Sequence, residues 1–268
     1  MKKFKWLITV FITSSSLFIS CSTVPLTERS QLNMIPNSEM LAMSIQQYDQ
    51  FLSENELSKN QKDIKMVNRV GTNIQHAVEK YLAQNKLSDH LEGYKWEFNL
   101  VKDDQVNAWA MPGGKVVVYT GILPITQDET GLAVVLGHEI AHAIAEHGNE
   151  RMSQQLLQQV GALGLMVAMH NETAKKQALW LNVYGVGTQV GIMLPYSRTH
   201  ESEADHLGLI FMAMAGYNPN AAPEFWKRMA ANKKGESPPE IISTHPSDET
   251  RINNLNSWIP EAMKYYTK

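Results

Sequence analysis

The chain has 268 residues, of which 43% are hydrophobic, so it can bury the core of one domain with additions. Its formal net charge is -3 at pH 7. This charge argues against a nucleic-acid-binding protein, which would need an excess of basic residues. Cys21 is the only cysteine, which excludes a disulfide within the chain.

The N-terminus has the pattern of a signal peptide. Three lysines in the first five residues precede an apolar run of 14 residues, from Trp6 to Ile19. A relaxed membrane span needs about 20 residues, whereas the apolar part of a signal peptide is shorter. The alternative is a buried N-terminal helix, but the run lacks the polar positions of a packed surface helix.

Cys21 follows the small residue Ser20 at the end of the apolar run. This resembles a bacterial lipobox, in which the cysteine becomes the lipidated first residue of the mature protein. Phe18 and Ile19 depart from the usual Leu-Ala-Gly pattern, and a free or buried thiol is the alternative. Cys21 is followed by Ser22 rather than by Asp, and in this the sequence resembles lipoproteins that are sorted to the outer membrane.

These features divide the chain into three parts. Residues 1–20 are predicted to be a signal peptide, and residues 21–36 a polar, irregular, lipidated tether. Residues 37–268 are predicted to form one folded domain in the periplasm. Lipidated Cys21 would anchor this domain to the outer membrane without making it span the membrane.

Hydrophobic spacing predicts the first elements of the domain. Apolar residues recur at three- and four-residue spacing over 38–51 and 63–82, which indicates two helices. Residues 94–101 (YKWEFNLV) alternate apolar and polar side chains, which indicates a half-buried strand. In residues 107–121 (NAWAMPGGKVVVYTG), Pro-Gly-Gly separates two short extended runs, which predicts a hairpin.

Residues 136–149 (LGHEIAHAIAEHGN) contain the motif His-Glu-x-x-His. On a helix that Asp128 or Thr130 can cap, residues four apart lie one above the other. His138 and His142 can therefore bind one metal ion with both imidazoles, and Glu139 can accept a proton from a metal-bound water. Zinc suits this arrangement because it takes nitrogen and oxygen ligands and leaves one position for water.

A catalytic zinc usually has three protein ligands, and His147 is the first candidate for the third. It lies nine residues after His138, about 180° around the same helix. A third histidine from just downstream would also need a glycine at position 145 to end the helix, and this residue is Ala145. We therefore predict that His147 lies at the helix end or behind the ligands.

Glu201 is the better third ligand. It lies in residues 197–208 (SRTHESEADHLG), four residues before Asp205, so both carboxylates share one face of a second helix. Asp205 can accept the free N–H of a zinc-bound imidazole and fix its tautomer. Glu203 is expected to point elsewhere. The alternative is a solvated acidic helix.

The segment between the two motifs, residues 156–196, is apolar and rich in glycine but is interrupted by glutamines and a polar turn. We predict two packed helices here, with a mobile lid or plug as a hypothesis. Met166 and Met169 are expected to lie in the core.

Four motifs in order resemble one known family: NAWAMPGG, HEIAHAIAEH, LPYSRTHESEADHLG and THPSDETRI (244–252). They are similar to the gluzincin metallopeptidases that include HtpX, the CAAX prenyl proteases, BepA and LoiP, and the branch of soluble periplasmic lipoproteins fits best. The resemblance implies a zincin-like α+β fold, mainly helical, with a small antiparallel sheet or hairpin beside the active-site helix.

The resemblance also assigns roles to residues. It implies one zinc ion held by His138, His142 and Glu201, with Glu139 as the catalytic base and Asp205 as a supporting acid. It implies further that an edge strand pairs with an extended substrate, as suits a protease that accepts many sequences. The residues of this strand are Asn107, Ala108, Trp109 and Ala110.

His245 precedes Pro246, so it is expected in an extended loop or turn. The resemblance implies that it either occupies the water's place on the zinc and inhibits, or assists catalysis by stabilising the oxyanion. His206 and Tyr196 are alternative oxyanion donors, and ordinary loop surface is the alternative for His245. Arg251 is expected to pair with the acidic loop or the motif helix.

The expected function is a zinc-dependent endopeptidase acting on misfolded or stalled cell-envelope proteins, the substrates being implied by the resemblance. One alternative is a chaperone-like outer-membrane assembly factor that keeps the zinc site as a scaffold, although a scaffold has no need of Glu139. A structural lipoprotein with incidental histidines is the other alternative.

Overall fold

The computed structural model describes residues 20–232 and 248–266. The predicted signal peptide up to residue 19 therefore lies outside the described residues, and so does His245.

The described residues are mainly helical, as predicted, with five short strands. The strands are β1 (Ser20–Thr23), β2 (Ser30–Asn33), β3 (Glu97–Val101), β4 (Ala108–Met111) and β5 (Lys115–Tyr119). The helices are α1 (Asn37–Glu54), α2 (Gln61–Gln84), α3 (Leu123–Thr126), α4 (Glu129–Ile144), α5 (His147–Ala168), α6 (Ala174–Thr188), α7 (Leu194–Met214), α8 (Ala221–Asn232) and α9 (Asp248–Ala262).

The predicted hairpin is present as β4 and β5, which pair antiparallel. Gly113 and Gly114 in its turn have φ of 85° and 77°, values that glycine adopts without strain. The sheet is mixed because β3 pairs with β5 in parallel. The strand order is β3-β5-β4, so β4 lies at an edge of the sheet.

Both faces of the central strand β5 are covered, which explains its unbroken apolar sequence. Val116 and Val118 belong to the main core that α2, α4 and α7 share. Val117 faces the other way and packs with Tyr48 of α1 and Val101 of β3. The sheet is thereby held between α1 and the helices that carry the metal motif.

Helices α4 and α7 cross at two glycines. A Cβ atom at Gly137 would lie 2.8 Å from the carbonyl oxygen of Gly208, and one at Gly208 would lie 2.9 Å from the backbone nitrogen of His138. Only glycine permits such an approach of two backbones. Because His138 follows Gly137 directly and Asp205 lies one turn before Gly208, this crossing brings the two predicted motifs together.

The N-terminal segment is more regular than predicted. Residues 21–36 were expected to be irregular, but β1 and β2 form an antiparallel hairpin in which Cys21 pairs with Leu32. The backbone after β2 is hydrogen-bonded to α5, where Met34 N–H donates to Ser153 Oγ at 2.8 Å. Four-residue strands are too short to show a period in sequence, so composition alone indicated a loop.

The two helices predicted between the motifs are present as α5 and α6. Met166 was expected to lie in the core, but it is 49% exposed. The prediction was wrong because these helices extend away from the body and have little to pack against except each other. Among the described helices, none has the length and apolar character needed to cross a membrane.

The glycine crossing can be tested with Gly208→Ala. The added methyl group forces the two helix backbones apart, and such overpacking costs about 1 to 3 kcal/mol. We expect a lower free energy of unfolding in urea, together with weaker metal binding. The matched control is Gly164→Ala, because a Cβ atom there meets nothing within 4 Å. That variant should gain up to about 1 kcal/mol from helix propensity, and equal stability of the two variants would contradict the interpretation.

Candidate metal centre

Helix α4 presents the histidines of the first motif. Its N-terminus is capped by Asp128, whose side chain accepts from Gly131 N–H at 2.8 Å. It ends at Ile144, because Glu146 adopts a left-handed conformation with φ of 56°. His147 therefore begins α5 rather than continuing α4. The prediction of one continuous helix through His147 was wrong, since the helix ends here without a glycine.

The structure brings together His138, His142 and Glu201. The two Nε2 atoms are 3.2 Å apart, His142 Nε2 lies 3.4 Å from Glu201 Oε1, and His138 Nε2 lies 3.7 Å from Glu201 Oε2. Two ligands of a tetrahedral zinc, each bound at about 2.0 to 2.1 Å, are about 3.3 Å apart. The spacing and the chemistry of the three donors therefore fit one zinc ion.

Asp205 supports His138 from behind. Its Oδ1 lies 2.8 Å from His138 Nδ1, which leaves Nε2 of that ring for the cluster. Arg251 donates to both oxygens of Asp205 at 2.6 and 2.9 Å, and to Glu201 Oε2 at 3.2 Å. Burial alone would raise the pKa of Asp205, but Arg251 and His138 outweigh it and lower that pKa. Arg251 thus pairs with the carboxylates of α7 and also lies 3.4 Å from the centroid of the Trp226 ring.

His142 is supported through a second imidazole. Its Nδ1 lies 2.8 Å from Nδ1 of His147, whose Nε2 lies 3.1 Å from Glu203 Oε2. Burial lowers the pKa of His142 to about 3 and that of His147 to about 4, so both rings are neutral at pH 7. If Nε2 of His142 binds a metal, its Nδ1–H donates to His147, and Nε2–H of His147 donates to Glu203. Both tautomers are then fixed by one chain of hydrogen bonds.

The chain of hydrogen bonds from His142 ends at Arg29, which lies in the turn between β1 and β2 and donates to Glu203. Arg29 donates to both oxygens of Glu150 at 2.9 and 2.7 Å, and its Nε donates to Glu203 at 2.9 Å. His200 lies 2.8 Å from Glu150 and stacks on His147 at 4.4 Å between ring centroids. Burial would raise the pKa of both carboxyls, but their hydrogen bonds lower it to about 2.

Sequence reasoning missed this second network, apart from placing His147 behind the ligands and turning Glu203 away from the cluster. Arg29 lies 174 residues from Glu203, in a segment interpreted as a tether. No sequence pattern around Arg29 indicates that it pairs with Glu203.

A cleft of about 460 Å³ opens onto the cluster. The side chain of Glu139 lies in it beside the two histidines, and burial raises the pKa of Glu139 to about 7. Trp226 and Met229 of α8 also line the cleft. The predicted substrate strand also lines the cleft, through Asn107, Ala108, Trp109 and Ala110.

Two of the predicted oxyanion donors lie elsewhere. His206 stacks on Trp258 and lies 2.8 Å from Glu261, while Tyr196 packs beside Arg29 and His200. Neither lines the cleft as it is formed by the described residues. The third donor, His245, lies outside the described residues, so both of its suggested roles stay predictions. Arg251 lines the cleft and is the nearest cation to the cluster among the described residues.

Comparison with known proteins identifies relatives of this arrangement. Residues 69–259 match Peptidase family M48. The chain is 31% identical over 265 residues to the mitochondrial metalloendopeptidase OMA1 of Schizosaccharomyces pombe, covering 98% of this chain and 74% of that protein. It is 31% identical to the mitochondrial metalloendopeptidase OMA1 of Bos taurus, covering 98% of this chain and 52% of that protein.

A bacterial relative matches over a shorter length. The beta-barrel assembly-enhancing protease (BepA) of Escherichia coli K12 is 34% identical over 191 residues, covering 67% of this chain and 39% of that protein. The chain thus spans about half or less of several relatives. The predicted resemblance is confirmed for the family, but the relatives include mitochondrial enzymes, so the narrower branch of periplasmic lipoproteins stays a prediction.

The cluster predicts how metal content responds to substitution. The wild-type protein should hold about one zinc ion per chain, and His138→Ala, His142→Ala or Glu201→Ala should each lose most of it, because two ligands do not make a stable site. Metal analysis after dialysis, with circular dichroism to check folding, measures this.

The variant His147→Ala tests whether His147 is a metal ligand or a residue that supports a ligand. It should still bind one zinc ion at saturation, but with an affinity about 10- to 100-fold lower, the usual cost of losing a partner behind a metal ligand. The matched control is His206→Ala, which removes a histidine outside the cleft and should leave the affinity unchanged. Complete loss of zinc from the His147 variant would instead make His147 a ligand.

Proposed function

Because the chain belongs to peptidase family M48 and is a metalloendopeptidase, we propose that it uses zinc to cleave misfolded or stalled proteins of the cell envelope. One observation carries this proposal. A His-His-Glu cluster and the half-buried Glu139 share one cleft with an edge strand of a sheet.

The residues of the cleft have different roles in peptide hydrolysis. His138, His142 and Glu201 would hold the zinc ion, which when bound supplies polarisation of the scissile carbonyl and of a water molecule. Glu139 accepts the proton from that water and later donates it to the leaving amine, and a pKa near 7 suits both transfers. Arg251 keeps Glu201 charged by donating to it, and Asp205 orients the imidazole of His138.

The edge strand suits a substrate of no fixed sequence. Among the described strands, β4 has a hydrogen-bonded neighbour on one side only, and residues 106–110 line the cleft. An extended chain that adds to this edge is held by its backbone, which every sequence shares. Unfolded segments offer such a chain, whereas folded proteins do not. The likeness to a bacterial protease named for beta-barrel assembly supports substrates in the envelope.

Glu139→Gln tests the chemistry. The amide keeps the size of the side chain but cannot accept the proton, so digestion of an unfolded substrate such as reduced casein should fall by about 10²- to 10⁴-fold. Zinc content should stay at the wild-type level, and a chelator should abolish wild-type activity. The matched control, Glu56→Gln, changes an exposed glutamate of a surface ion pair and should be fully active. A zinc-bound wild type without protease activity would favour the assembly-factor alternative.

The proposed location is the periplasmic face of the outer membrane, with the lipid carried on Cys21. Cys21→Ser should abolish labelling of the chain by a radioactive fatty acid, since serine has no thiol to modify. The variant should also leave the membrane fraction more readily in a high-salt wash. Incorporation of label equal to that of the wild type would show that lipid is attached elsewhere.

A further inference from the structure

Residues 154–193, here called the apolar hairpin, comprise α6 and most of α5. No residue of this segment is buried, whereas Ser153 before it and Leu194 after it are. The apolar hairpin therefore leaves the body of the protein at these two residues.

The polarity of the apolar hairpin is reversed relative to a soluble helix pair. Its two helices meet through polar groups: Tyr184 Oη donates to the carbonyl of Gln158 at 3.1 Å, and Gln158 Nε2 donates to Thr188 Oγ1 at 2.7 Å. Gly161 makes room for the Tyr184 hydroxyl, because a Cβ atom there would lie 2.1 Å from it. Small residues and hydrogen bonds between helices are the means by which helices associate inside lipid.

Apolar side chains cover the outside. On α5, Val160, Leu163 and Val167 form one stripe at three- and four-residue spacing, and on α6 a second stripe consists of Leu179, Val183 and Val186. These six side chains are between 51% and 73% exposed. Removing apolar side chains from water is favourable, so a surface that covers both stripes stabilises this arrangement.

The distribution of charge indicates what that surface is. The sequence has no Asp, Glu, Lys or Arg between Arg151 and Glu172, and none between Lys176 and Arg198. At the tip, Lys176 pairs with Glu172 at 2.8 Å and Lys175 can meet an anionic lipid headgroup, whereas Arg151 and Arg198 lie at the base. Trp180 is 52% exposed, and tryptophan is enriched at the boundary between headgroups and acyl chains. Two apolar stripes with cations at both ends match a helix pair that lies in a membrane surface.

The start of the described chain is attached at the base of the apolar hairpin. Besides the bond from Met34 to Ser153, Asn149 Nδ2 donates to the carbonyl of Ile35 at 2.8 Å. A lipid on Cys21, as proposed above, would therefore hold this part of the molecule close to a bilayer.

From the reversed polarity, the exposed stripes and the placement of charge, we infer that the apolar hairpin docks into the interfacial layer of a lipid bilayer. Both stripes enter the boundary of the acyl chains, and the lysines of the tip face the headgroups. The inference does not depend on proteolytic activity.

Flotation with vesicles tests the docking. The mature chain from residue 21, carrying Cys21→Ser so that it cannot receive the lipid, is mixed with vesicles of phosphatidylcholine and phosphatidylglycerol. Adding Leu163→Glu and Val183→Glu places two charges on the exposed stripes, so the partition coefficient should fall by about tenfold or more. The matched control is Ile45→Glu with Leu57→Glu, two exposed apolar side chains on the body, at 39% and 40%. The control should partition as the parent chain does.

A spectroscopic measurement locates the contact. Brominated phospholipids should quench part of the tryptophan fluorescence, and Trp180→Phe should remove that part. Partition and quenching that are unchanged in the hairpin variants would overturn the inference. So would concentration-dependent dimers that the hairpin variants abolish while vesicle binding persists, since the stripes would then bind a second copy. Digestion of unfolded soluble substrate by the hairpin variants should equal that of the parent chain, which separates this test from that of the proposed function.

Discussion

The close approach of α4 and α7 at Gly137 and Gly208 is the constraint on which the site depends. Each motif contributes only part of a metal centre, and Glu201 of the second lies 59 residues after His142 of the first. The backbone of one helix touches that of the other beside the ligands, so this contact sets the distance between the imidazoles of α4 and the carboxylates of α7. A side chain at either glycine would push the two helices apart and so widen the cluster, although all three ligands would still be present.

Around this crossing, each ligand imidazole has a carboxylate behind it. For His138 the carboxylate is Asp205, in direct contact, and for His142 it is Glu203, reached through His147. Buried carboxylates are costly unless they are paired, and here an arginine neutralises each one. Arg251 comes from α9, and Arg29 comes from the N-terminal hairpin. The orientation of the ligands therefore depends on both ends of the described chain.

Sequence alone predicted the parts of the structure that rest on local periodicity. Helices α1, α2 and α4 to α7, the β4–β5 hairpin and the spacing that puts Glu201 and Asp205 on one face follow from repeats of two to four residues. The end of α4 at Ile144 could not be predicted, because Glu146 takes a conformation that usually signals glycine. The contact of Arg29 with Glu203 could not be predicted either, because charge pairing over 174 residues leaves no local pattern. The exposure of Met166 was not predicted, because apolar composition was taken to indicate a buried core. The apolar hairpin has no such core.

The apolar hairpin joins the two halves of the metal centre in sequence. Its first helix begins at His147, one residue after the turn that ends α4, and its second helix leads through a π-helical segment, Gln189–Met193, into α7 with Glu201. Single π-helical turns are less stable than α-helix and are retained mostly at functional positions. A hairpin held in a bilayer would therefore restrain both helices that support the ligands. The cleft is lined by residues of β4, α4, α7, α8 and α9 and by Arg151 at the start of α5, and all of these lie outside residues 154–193. Membrane contact and substrate entry thus use different residues, so a membrane-bound enzyme can keep its cleft open to chains in solution.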